Sequence, residues 1–109
     1  MEKLKVEVKK PDCPWLNRVA CYNYKRLVIN CATNEILLML DAYPTSITKY
    51  PDTYTLTVDS PAIIIADIED ITNPWNSPIH VLHSIYSDKR TECIVRSIAH
   101  EYLLKKQKA

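Results

Sequence analysis

Four side chains able to ligate a metal lie in the last third of the chain. His80 and His83 are three apart, a spacing that on a helix aims both imidazoles at one point, as in zinc-binding pairs. Cys93 and His100, seven apart, would share one face of a following helix and could complete the set. The chain has neither a Cys-x-x-Cys spacing nor a His-Glu-x-x-His helix, so these four are read as ordinary, partly buried side chains and no metal site is expected. A second constellation is acidic. Asp67 and Glu69 would share one face of a strand, with Asp59 and Asp70 nearby, and paired carboxylates can hold Mg²⁺ for phosphodiester hydrolysis. That chemistry also wants a nearby lysine, and none occurs between Lys49 and Lys89. The cluster is therefore read as a solvated strand end. Cys93 or Ser97 beside His100 could form a nucleophile and base, but no glycine loop exists to hold an oxyanion, and no catalytic residue is expected.

Binding chemistry is better represented. Tyr22, Tyr24, Lys25 and Arg26 interleave rings with cations across a predicted strand, turn and strand. Rings that stack on bases and cations that follow phosphates suit single-stranded nucleic acid. The same residue types are enriched at the centres of protein interfaces, and both readings compete with plain packing within a sheet.

The residues absent from the chain narrow its chemistry further. It has 109 residues, no glycine and no phenylalanine. Without glycine, no loop can close its backbone N–H groups around a phosphate in the manner of P-loops or dinucleotide folds, and no nucleophile elbow can form. No cofactor is expected. Left-handed turn positions fall to asparagine, with Asn17, Asn23, Asn34, Asn73 and Asn76 as candidates. The apolar share of 47% and charged share of 25% are those of a globular protein, and the length fits a single domain over residues 1–109.

Net charge is +1, but unevenly spread: seven Lys/Arg against three acids up to Cys31, one against seven from Ala32 to Ile79, six against three from His80 onward. An acidic middle between basic ends is either a macromolecular interface or a solvated surface with chance clustering. Met1 leads into Glu2, Lys3 and Lys5 rather than an apolar signal core, and the run Ile36 to Leu40 is too short to span a bilayer. The expectation is a soluble, cytoplasmic protein with no membrane partner. Cys13, Cys21, Cys31 and Cys93 are then expected as free thiols, unless the source is a hyperthermophile or its virus.

Elements that must position these residues follow from periodicity. Leu4, Val6 and Val8 alternate with charged residues and predict a strand over 3–9, ended by Pro11 and Pro14. A meander is predicted with strands near 18–23, 26–31 and 36–41, the last competing with a short helix over 35–42. After a loop from Tyr43 to Pro51, Tyr54, Leu56 and Val58 alternate with threonines, and Ala62 to Ala66 is apolar on both faces. These two strands, close in sequence, predict a hairpin. Ser77 followed by Pro78 reads as a helix start, giving a helix over 78–86 that carries Ile79, Leu82 and Ile85 or Tyr86. Ser87 or Asp88 then caps a longer helix to about Lys106, with a stripe of Ile94, Val95, Ile98, Ala99, Tyr102 and Leu103.

The fold class expected is α+β: an antiparallel sheet of five or six strands with two C-terminal helices. The function expected is a non-enzymatic interaction module for another macromolecule, with a protein partner favoured and Tyr22, Tyr24, Lys25 and Arg26 as its binding residues. Small size, missing catalytic motifs and an idiosyncratic composition fit an accessory or inhibitor protein of viral or phage origin. The alternatives are a nucleic-acid-binding domain and, second, a small metal-dependent phosphodiesterase using Asp67 and Glu69.

Overall fold

The computed structural model describes residues 4–11, 23–42, 53–58 and 62–108. In chain order the elements are β1 (Leu4–Lys9), β2 (Lys25–Asn30), β3 (Glu35–Asp41), β4 (Thr53–Val58), β5 (Ile63–Ile68), β6 (Ile79–His83) and α1 (Asp88–Lys108). The strands form two antiparallel sheets. One is the pair β1–β4, and the other has the order β3-β2-β5-β6.

Burial explains this layering. On β2 and β5, Leu27, Ile29, Ile64, Ala66 and Ile68 project to one face of the four-stranded sheet, where Val95, Ile98 and Ala99 of α1 cover them. Val28 and Ile63 project to the opposite face and join Val8 of β1 and Val58 of β4. The central strands are thus covered on both sides, which is why β5 is apolar at nearly every position. β4 alternates exposed threonines with covered Tyr54, Leu56 and Val58, as an outer layer with one wet face should.

That difference overturns the expected hairpin of β4 with β5. β4 pairs with β1, Val58 opposite Leu4 and Thr53 opposite Lys9, whereas β5 pairs with β2 and β6. Proximity in sequence favours a hairpin, but a strand with one apolar face belongs in the outer sheet and a strand with two belongs at the centre.

The second correction concerns the helix expected over 78–86. These residues form β6, so the chain has one C-terminal helix and not two. β5 offers an open row of backbone groups, and the β-branched Ile79 and Val81 take it up opposite Ile68 and Ala66. The Ser77 hydroxyl, read as a helix cap, instead accepts the Asp70 N–H at 2.7 Å and closes the turn before β6. Leu82 and Ile85, which a helix would have buried with Ile79, are exposed.

The remaining elements follow their patterns. β3 is a strand rather than the competing short helix. Its turn from β2 is closed by Asn34, whose N–H reaches the Asn30 carbonyl at 2.7 Å with φ of 57°. Among the described residues it is the only non-glycine residue with positive φ, one of the five asparagines expected to fill such positions. Ser87 caps α1: its hydroxyl accepts the Arg90 N–H at 3.3 Å and its carbonyl the Thr91 N–H at 2.9 Å. The expected strand at 18–23 lies outside the described residues apart from Asn23, whose backbone is helical, and the 43–51 loop lies outside them entirely.

Candidate functional site

Two features on adjacent strands stand out, a buried polar centre and an uncovered strand edge. Asp67 on β5 is 4% exposed and lies opposite Arg26 of β2. The guanidinium meets it side-on, Nε donating to Oδ1 at 2.7 Å and Nη2 to Oδ2 at 3.0 Å. The Tyr24 hydroxyl donates to the same Oδ2 at 2.8 Å. Arg26 also donates through Nη1 to the Lys9 carbonyl at 2.6 Å, so one side chain links β2, β5 and β1. Burial foremost, and then the hydrogen bond and charge of Asp67, push the Tyr24 phenol above its ordinary value. The ring is 8% exposed and its hydroxyl is held as a proton donor.

Of the four residues expected to bind a partner, Tyr22 lies outside the described residues. Tyr24 and Arg26 face this interior centre, and Lys25 pairs with Asp41 directly across β2 and β3. Their alternation of ring and cation has a cause inside the sheet, since each cation is matched by a carboxylate on a neighbouring strand.

The other constellations are dispersed. Asp67 has both oxygens engaged, and Glu69 turns away to His80, 2.6 Å from Oε2 to Nε2. Asp70 accepts the Thr72 N–H at 3.0 Å within its own turn, and Asp59 lies outside the described residues. Among the described residues no three His, Cys, Asp or Glu side chains gather as a metal site would require. His100 packs on Trp75, ring centroids 6.2 Å apart, while Ser97, three residues before it on α1, lines a groove. That groove, about 650 Å³, runs between the Asn34 turn and α1, with Ile36 and Ile98 beside Glu35 and Glu101. Cys31 and Cys93 are free thiols, and burial raises the Cys31 pKa. No described helix is long and apolar enough to cross a membrane.

The feature that sequence reasoning missed is β6. It is the last strand of its sheet, paired through one edge only among the described residues. A bulge interrupts its ladder: Val81 faces Ala66 and His83 faces Ile65, which leaves Leu82 without a partner on β5. The extra residue also brings His80 and His83 to the same side of the sheet, since their partners Asp67 and Ile65 are two apart. Leu82 is 54% exposed and Ile85 59%. A signal was present, because the seventeen residues from Ile71 to Ser87 contain no Asp, Glu, Lys or Arg. No known protein family, curated protein or solved structure matches this chain.

Proposed function

We propose that this chain is a non-enzymatic interaction module and that a protein partner docks along the free edge of β6. The observation that carries this reading is the edge itself: backbone N–H and C=O groups that no described strand pairs with, flanked by exposed Leu82 and Ile85 and bare of fixed charge. Proteins commonly guard such an edge with lysine, inward charges, proline or a bulge; β6 has the bulge and Pro78 before it but no charge along it, and an edge bare of charge is where a further strand adds. β3, at the other end of the same sheet, carries Glu35 and Asp41.

Tyr24, Lys25 and Arg26 serve the module from within, holding β2 to its neighbours so that β5 presents β6 on a rigid support. A protein is favoured over nucleic acid because the two cations of that segment are already matched by Asp41 and Asp67, and phosphates need unmatched ones.

Site-specific photo-crosslinking tests the reading. A crosslinker at position 82 should capture a protein, with capture lost on adding Ile85→Lys, while the same crosslinker at Leu37 of β3 should not capture it. Equal capture from both positions, or a nucleic-acid adduct that disappears steeply with salt, would overturn the proposal.

A further inference from the structure

We propose, building on the docking edge above, that its occupant is a second copy of this chain, added antiparallel about a two-fold axis between the two Val81 residues and perpendicular to the sheet. Charge around β6 is divided by end. Glu69 and Asp70 flank its start, the Glu69 N–H donating to the Pro78 carbonyl at 3.2 Å and the Glu69 carboxylate resting on His80. Its finish abuts the first turn of α1, joined there by the 2.7 Å contact of the Ser84 and Thr91 hydroxyls. Lys89 and Arg90 are exposed in that turn and outnumber Asp88 there, which leaves a net positive charge at the positive end of the helix dipole. An antiparallel copy sets the acidic start of each strand against the basic finish of the other, so the attraction occurs twice. A parallel copy sets like against like.

The register agrees. With Val81 opposite its twin, Ile79 faces His83 and His80 faces Leu82, so no imidazole opposes an imidazole and no fixed charge stands on the ladder. Val81 is half-buried over the helix-side core, and its twin continues that core across the seam. The result is one eight-stranded sheet with both copies of α1 on the same face. β6 has only five residues and one bulge, so the ladder is short and burial of Leu82 and Ile85 must supplement it.

Sedimentation equilibrium of the full chain at about 100 µM tests this, a concentration that detects even micromolar association. The wild type should have the mass of a dimer. Glu69→Lys, and separately Lys89→Glu with Arg90→Glu, should each weaken self-association at least about tenfold by placing like charges at both ends of the seam. Mixed in equal amounts, these two variants should recover the dimer mass, because both ends are then attractive again. Circular dichroism and thermal melting establish that each variant is folded before mixing. A monomeric wild type, variants as dimeric as the wild type, or a mixture that stays monomeric would each overturn the proposal. A monomeric wild type that still crosslinks another protein from position 82 would remove the second copy and leave the docking edge standing.

Discussion

Arg26 has three tasks at once: it neutralises a buried carboxylate, helps tie β2 to β5, and reaches the β1 backbone. Its side chain is 15% exposed and that of Asp67 5%, so removing one charge strands the other in a poorly solvated place. Arg26→Met should cost about 3–5 kcal/mol in urea unfolding, and Arg26→Met with Asp67→Leu should recover much of that loss, since an apolar pair leaves nothing unsatisfied. Tyr24→Phe removes one of the bonds to a carboxylate that keeps Arg26, and should cost about 1–2 kcal/mol. The Tyr24 phenol also sets a pH dependence. Its folded pKa lies above the ordinary 10.0, so the folded chain holds the proton that the unfolded chain releases. Stability from this group is complete below pH 10.0 and declines as pH rises beyond it. Unfolding free energies measured across that range should fall more steeply for the wild type than for Tyr24→Phe, and equal slopes would show the phenol to be uncoupled from folding.

At the scale of elements, the two ends of the four-stranded sheet differ in how they stop. β3 starts from a turn that needs Asn34 at φ of 57°, where a β-carbon is disfavoured for most residues. Asn34→Gly should leave thermal stability nearly unchanged, while Asn34→Ala should cost about 1 kcal/mol, because alanine has the steric penalty without the local hydrogen bonding of asparagine. α1 begins at Ser87, and Ser87→Ala should cost about 1 kcal/mol of stability by freeing the Arg90 N–H. β6 ends the sheet with no neighbour on its outer edge among the described residues, and its amides there should exchange with solvent faster than those facing β5 unless a partner covers them.

For the molecule as a whole, the order of layers sets the order of opening. β2 and β5 are covered by α1 on one face and by β1 with β4 on the other, whereas among the described residues β1 and β4 pair only with each other. Native-state hydrogen exchange should find β2 and β5 amides opening only with global unfolding, and β1 and β4 amides opening at lower free energy. Leu27→Ala, at a fully buried site beneath α1, should cost about 2–5 kcal/mol and lower the protection of both layers together. Protection of β1 and β4 equal to that of the central strands would mean that the layers are a single cooperative unit.

The sequence by itself determined those features whose cause lies within a few residues. Alternation of threonine with Tyr54, Leu56 and Val58 specified a strand with one wet face, the run Ala62 to Ala66 specified a strand with none, and a cap at Ser87 or Asp88 followed by the stripe from Ile94 to Leu103 specified α1. Apart from β2 with β3, neighbours in the meander read from the sequence, only the tertiary structure decided what pairs with what. Asp67 and Arg26 are 41 residues apart, and nothing local to Tyr24-Lys25-Arg26 tells a solvent-facing binding row from a set of side chains matched by distant carboxylates. The same limit governs β6. Ile79, Leu82 and Ile85 have helical spacing, and the short run is compatible with both periods. The choice fell to the open ladder of β5, a non-local partner whose backbone bonds fix Ile79 and Val81 as a strand and leave Leu82 and Ile85 in solvent.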